Sequence, residues 1–310
     1  MAQAVTMYSW DDPGAPQLTN AKPSELIDIL KKCCVDGYGS KAALGWELLH
    51  DDTTLLAIKN NVASGGSGGI VQFRARSDSD TAKNVIYING GTGFVGPDEI
   101  HNKSYQKAMQ CQSDWTAWVL VGTGSAFYFI IGNPSEALAN YDRKNEEIIF
   151  IGDISSFIAA DAGRFTVFSG GNEHDITASN LSSYKYSWDY AVSCYSSTYT
   201  TIKLLGLDGS SPTKDFIVRP LLLPTAARDS PKISLPSDHF QPFYITTISG
   251  GNISGYNSTI RGVLPGLVNP LASWQENEFW PQFHDIEGQQ YIAIRSVTRS
   301  VKCYLNIESW

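Results

Sequence analysis

Charge is scarce in this 310-residue chain, where Asp, Glu, Lys and Arg together make up 17%, and 23 basic residues face 31 acidic ones for a formal charge of −8. The longest basic run is Lys31-Lys32. A grip on nucleic acid needs clustered cations that displace counterions from phosphates, so DNA and RNA are excluded as expected partners. Long apolar runs are missing as well. No stretch approaches the roughly 18 apolar residues of a membrane helix. The first residues show neither the charged nor the apolar segment of a secretory leader, so the expectation is a chain made in the cytosol without a membrane span. Cysteine is sparse: Cys33, Cys34, Cys111, Cys194 and Cys303 are odd in number and form no C-x-x-C pair. That argues against a disulfide frame and for reduced, buried thiols. The Asn-x-Ser/Thr triplets at Asn102, Asn180, Asn252 and Asn257 then carry no sugar.

What is present reads as a globular, β-rich chain. Hydrophobic residues reach 42% and aromatic ones 12%, with 8 Trp, 15 Tyr and 27 Gly; that is too apolar for disorder and rich in strand and turn formers. The length can bury a sizeable core in one large domain or two ordinary ones.

One helix leads. Pro23 suits a first helical turn, Ser24 can cap, and Leu26, Ile27, Ile29, Leu30, Cys33 and Cys34 recur at helical spacing before the stop at Gly37. Strands follow. Gly45–His50 and Thr54–Lys59 flank an Asp51-Asp52 turn as a hairpin. Residues 63–69, Ala-Ser-Gly-Gly-Ser-Gly-Gly, read as a flexible loop. In Ile70–Arg76, Gln72, Arg74 and Arg76 share one face with Ile70, and Val71, Phe73 and Ala75 the other. Val85–Ile88 is a further strand ending at Asn89-Gly90-Gly91. Trp118–Val121 and Phe127–Ile131 form the clearest hairpin, apolar enough to lie at the centre. Asn133-Pro134-Ser135-Glu136 predicts a short helix to about Tyr141. Glu147–Ile151, Arg164–Phe168, Phe216–Leu223, Phe243–Ser249, Tyr291–Ser296 and Val301–Ile307 complete the strands, with Pro265, Pro270 and Pro281 in a turn-rich stretch. The fold class is therefore mainly β with a few short helices (α+β), antiparallel sheets behind an N-terminal amphipathic helix. Gly206–Pro212 suggests a division into 1–205, a linker at 206–215 and an aromatic-rich 216–310; the alternative is one continuous domain.

Residues Trp10–Leu18 and Asp36-Gly37-Tyr38-Gly39-Ser40-Lys41-Ala42-Ala43-Leu44-Gly45-Trp46 resemble the opening of a family of tailed-bacteriophage virion structural proteins, with its LV-x-GYGSK-x-x-x-GW block. Gln72-Phe73-Arg74-Ala75, Gly91-Thr92-Gly93, Trp118–Val121, Phe127-Tyr128-Phe129, Gly152-Asp153-Ile154, Arg261–Leu267 and Pro270-Leu271 continue the likeness in order along the chain. The resemblance implies a structural component of the virion, in the tail, baseplate or fibre-attachment region, with other phage virion proteins as partners and a symmetric homo-oligomer in the particle. Capsid decoration or a collar role is the alternative location. Neither cofactor nor metal is implied, and no enzymatic activity.

Three catalytic patterns compete with that reading. Gly91-Thr92-Gly93-Phe94-Val95-Gly96 is a G-x-G-x-x-G after an apolar strand, as in NAD(P)-dependent short-chain dehydrogenases, and Tyr199-x-x-x-Lys203 has their catalytic spacing. The pattern needs a following helix and a ribose-binding acid, and only Asp114 in a polar stretch is near the right distance. Gly65-x-Ser67-x-Gly69 matches a nucleophile elbow on paper but lacks the strand-to-helix context. Glu173-His174-Asp175, Asp238-His239 and His284-Asp285 pair His with carboxylates, yet neighbours on an extended chain point to opposite sides and cannot chelate one ion. Trp274, Trp280 and Trp310 stand as candidates for interface or glycan contact, since aromatic faces stack on sugars and anchor interfaces; a receptor- or glycan-binding module for a host surface glycan is the second functional expectation.

Overall fold

The computed structural model describes residues 3–97, 99–110, 112–135, 146–169, 201–211, 215–220, 240–247, 259–270, 279–294 and 303–310. Among them, three antiparallel sheets form successive layers. The central sheet runs in the order β1 (Thr6–Ser9), β9 (Ala117–Gly122), β10 (Ala126–Gly132), β11 (Glu146–Asp153), β13 (Phe165–Ser169). On one side lies a sheet of β2 (Glu47–Asp51), β3 (Leu55–Lys59), β4 (Ile70–Ala75), β5 (Val85–Gly91) and β8 (Lys107–Gln110). On the other lies β14 (Thr201–Lys203), β15 (Asp215–Arg219), β16 (Phe240–Thr247), β17 (Ile260–Pro270), β20 (Cys303–Asn306), β19 (Gln289–Ile294) and β18 (Gln282–Ile286), with β12 (Ser155–Ser156) paired to β17. A separate hairpin joins β6 (Gly93–Gly96) and β7 (Glu99–His101).

The layering explains the apolar runs at 117–122 and 126–132. An antiparallel sheet with one wet face alternates polar and apolar residues, whereas this one is covered twice. Trp118, Leu120, Phe127, Phe129, Ile149 and Ile151 meet Leu56, Ile58, Val71, Phe73, Ile86 and Ile88 of the first outer sheet. Val119, Val121, Tyr128, Ile130, Ile148 and Phe150 meet Val218, Phe243, Ile245, Ile292 and Leu305 of the other. Each such side chain contributes about 1.5–3 kcal/mol on burial. The second cluster holds residues from both sides of 206–215, and that segment connects β14 to β15, which pair directly with Thr201 opposite Ile217. The expected division at 206–215 therefore falls between two strands that are neighbours in one sheet, and residues 212–214 lie outside the described residues.

Helix α1 spans Pro23–Lys31 with Pro23 at its start and buries Leu26, Ile27, Ile29 and Leu30. Ser24 is not its cap: Lys22 occupies that position, and Ser24 donates its N–H and hydroxyl to Asp80, both at 2.9 Å. Glu25 reaches back to the Lys22 N–H at 3.2 Å, satisfying a donor that no helical carbonyl can reach. The helix then widens into a π turn over Lys32–Asp36 that buries Cys33 and Cys34, whose carbonyls accept from Leu44 N and Trp46 N.

Two readings of the chain change. β5 continues past Ile88 to Gly91, and the stretch with Pro265 and Pro270 is the strand β17. Pro265 is tolerated there because the register slips: Pro242 faces Val268 but Tyr244 faces Val263, so Leu264, Pro265 and Gly266 have no partner on β16, with Gly266 at φ 68°, while Pro270 ends the strand opposite Phe240. The helix expected at Asn133–Tyr141 lies outside the described residues beyond Ser135.

Candidate functional site

At one end of the layers the three sheets converge on a polar cleft of about 310 Å³, lined among others by Gln3, Gly65, Asp153, Ser155, Arg164 and Trp310. Asp153 is its centre. It ends β11 and is 7% exposed. Its carboxylate accepts from Ser67 N (2.8 Å), Ser67 Oγ (2.5 Å), Asn60 Nδ2 (3.1 Å) and Arg164 Nε (2.9 Å). Burial holds the Asp153 carboxyl above its ordinary value, with the Ser67 bonds and the Arg164 charge pulling the other way. Asn60 comes from the end of β3, Ser67 from the glycine-rich loop before β4, and Arg164 from the approach to β13. The carboxylate thus ties the first outer sheet to the central one.

The glycine-rich loop is consequently held at defined points. Gly68 donates to Asn60 Oδ1 at 2.7 Å, Arg164 Nη2 donates to Gly65 O at 2.7 Å, and a side chain on Gly69 would collide with the Phe165 ring. Ser67 sits in that loop with β4 directly after it, and its hydroxyl is committed to Asp153; a nucleophile elbow would end in a helix. As an arrangement, a serine bonded to a carboxylate that an arginine also holds is a clamp, since the carboxylate's lone pairs are taken up by fixed donors.

The glycines of G-x-G-x-x-G have a different use. Gly91 closes β5, and Gly93 and Gly96 bound β6, which is followed by β7. A Cβ at Gly91 would overlap Ile100 and the His101 carbonyl, so the glycine permits the hairpin to fold back over the sheet. Lys203 lies on strand β14 with its ammonium 4.9 Å from the Tyr105 ring, and Tyr199 is outside the described residues. His284 and Asp285 are consecutive on β18, opposite Tyr291 and Gln290 respectively. His174 and His239 are outside the described residues.

The three tryptophans have different fates. Trp280 is 1% exposed and stacks on Trp10 with ring centres 6.0 Å apart, so it is a core residue with no face left for a partner or a sugar. Trp310 docks on its own chain: Nε1 donates to Asn306 O at 2.9 Å, its backbone exchanges bonds with Gln3, and its ring meets Tyr128 edge-on at 5.4 Å. It keeps an edge on the cleft. Trp274 lies outside the described residues. Large apolar side chains that are exposed include Phe157, Phe279 and Phe283.

The blocks that carry the virion resemblance meet in space. Tyr38 donates its hydroxyl to Asp12 Oδ2 at 2.7 Å, Lys41 Nζ approaches the same oxygen at 2.6 Å and donates to Met7 O at 2.8 Å. Tyr8 donates to Ala42 O at 2.6 Å. Although burial works against ionisation, the Lys41 and Tyr38 bonds hold the Asp12 carboxyl below its ordinary value. Gly39 lies against the Pro13 carbonyl, where a side chain has no room. Sequence reasoning missed Asp153, Asn60 and Arg164 as a cluster; their separation along the chain hides it, and the only local signal was Gly152-Asp153-Ile154.

Compared with known proteins, the chain matches no family model and no curated protein.

Proposed function

We propose that this protein is a non-enzymatic structural component of a tailed-bacteriophage virion, of the tail, baseplate or fibre-attachment region, and that it acts through protein–protein assembly. The observation that carries the reading is the sequence signature itself: its two most specific blocks, Trp10–Leu18 and Asp36–Trp46, pack on each other through Asp12, Tyr38 and Lys41. A signature that is one physical staple is a stronger basis for resemblance than scattered identities. Rigidity supports the same reading. The ionisable residues at the polar cleft are spent on clamping sheets together, as an assembly part requires. Exposed Phe157, Phe279 and Phe283 supply apolar contact for neighbours, in the manner of interface anchors.

The test is mass spectrometry on density-gradient-purified particles released from cells that carry the gene, followed by antibody labelling under the electron microscope. Peptides of this chain at fixed stoichiometry and label at the tail support the proposal. Absence from intact particles overturns it.

A further inference from the structure

Between β12 and β13 the chain makes a loop in which Phe157, Ile158, Ala159, Ala160 and Ala162 accompany a single charged residue, Asp161. Asp161 turns inward and is 1% exposed, whereas Phe157 is 61% exposed. A second loop, after β14, lies against the first. Ala162 donates its N–H to Leu207 O at 3.0 Å, and a Cβ on Gly163 would overlap the carbonyls of Leu205 and Gly206. Leu207 is itself 47% exposed. The two loops make one apolar tip, with Phe157 and Leu207 as its large side chains and exposed alanines at 159, 160 and 162.

Buried groups hold that tip in place. Arg261 on β17 donates two bonds to Asp161 and a third to Leu205 O, so one guanidinium grips both loops at their base. Asp161 also accepts from Ser156 Oγ at 2.8 Å and Gly163 N at 3.0 Å, and Phe157 N donates to Arg261 O at 2.9 Å. Ala160 is kept at φ 58°, a left-handed conformation that is costly for a residue with a Cβ. A loose loop could fold Phe157 back onto the protein, but a clasped one keeps the ring in water. Such a loop also loses little conformational freedom when it docks.

Shape and charge decide what covers it. Side chains this exposed stand proud of the surface, so the matching surface is a pocket. Residues 156–163 and 204–211 contain Asp208 as their only other charged residue, and no Lys or Arg. The neighbouring Arg164 and Arg261 are paired with Asp153 and Asp161. A bilayer is therefore a poor occupant, because insertion of an apolar segment is normally backed by basic residues against anionic lipid, and this chain carries a net charge of −8. A second copy is poor too: a two-fold axis through the tip would set Asp208 against Asp208, and the cleft beside it presents Asp153, Ser155 and Arg164 rather than an apolar seat.

We propose that this tip is the plug by which the chain docks onto a different protein of the particle, one that offers an apolar pocket with a Lys or Arg at its rim for Asp208. The inference rests on the virion reading and names the contact through which assembly proceeds.

Particles assembled with Phe157→p-benzoylphenylalanine test it. On irradiation the chain should cross-link to a peptide of another virion protein in which Lys or Arg lies beside apolar residues. The same probe at Leu48, exposed on β2 of the opposite outer sheet, should not give that product. Phe157→Ser and, independently, Leu207→Ser should lower the copy number of the chain per particle about tenfold, and Asp208→Lys a few-fold, while Tm of the purified chain holds because these side chains already stand in water. No cross-link above the Leu48 control, or unchanged copy number in the folded variants, overturns the proposal and leaves the virion reading in place. A cross-link to the chain itself also overturns it, by making the tip a self-contact. So does binding to phosphatidylcholine–phosphatidylglycerol vesicles that Phe157→Ser abolishes while copy number holds, by making the tip a lipid anchor. Absence of the unmodified chain from particles removes both the reading and the plug.

Discussion

Asp161 and Arg261, 100 residues apart, form a two-point buried ion pair, with Nη2 to Oδ1 at 2.6 Å and Nε to Oδ2 at 2.9 Å. Their side chains are 0% and 6% exposed, and Arg261 Nη1 also donates to Leu205 O. The pair fastens the turn before β13 to the long strand β17.

Removing one partner strands a buried charge, which costs about 3–5 kcal/mol, whereas removing both costs less. Asp161→Asn or Arg261→Met should therefore lower the urea midpoint sharply, and the double variant should recover part of the loss. Additive losses would refute the coupling. Despite its burial, Asp161 is held below its ordinary value by Arg261, so its contribution is present above the unfolded pKa and fades as pH falls through the folded one.

Glu147 behaves oppositely. Its side chain is half-buried and its carboxyl accepts the Gln110 N–H at 2.8 Å, and burial pushes its pKa from 4.5 up to about 8. The folded protein holds the protonated form, so the favourable contribution is complete below pH 4.5 and lost as pH rises through about 8. Melting curves across pH 5–9 should show Glu147→Gln gaining on the parent chain by on the order of a few kcal/mol at the alkaline end. Parallel curves for the two proteins would refute this.

Gly266 faces the Trp310 indole with φ 68°, and any Cβ there would overlap the ring. Gly266→Ala should cost about 1–3 kcal/mol. In a Trp310→Ala background the steric part disappears and only the backbone part remains. An equal cost in both backgrounds, read from thermal melts, would show that the ring is not what the glycine accommodates.

Tyr38→Phe removes the bond to Asp12 and leaves that carboxylate to Lys41 and the Ser9 N–H. A loss of about 1–2 kcal/mol is expected, with faster hydrogen exchange confined to residues 9–18. Exchange that rises evenly over the whole chain would argue against a local staple.

Local pattern reached the elements whose cause is local. α1 announced itself through Pro23, the spacing of Leu26, Ile27, Ile29 and Leu30, and the stop at Gly37, while the β9–β10 hairpin followed from two apolar runs about a turn. β17 escaped because Pro265 and Gly266 read as breakers, and only a slipped register with β16 gives them a place in a strand. Ser24 looked like a cap until Asp80, 56 residues away, claimed it.

The candidate site divides the same way. Residues 63–69 were readable as a glycine-rich loop, but the bond from Ser67 to Asp153, 86 residues away, and the approach of Asn60 and Arg164 to the same carboxylate depended on how the sheets stack. The acidic composition, the strand-rich pattern and the signature blocks belong to the chain as written, since they rest on residue type and near neighbours. Which tryptophan is buried, where Ser67 is held and which carboxylates sit away from water were decided by contacts between distant segments, because burial and hydrogen bonding are properties of the assembled layers.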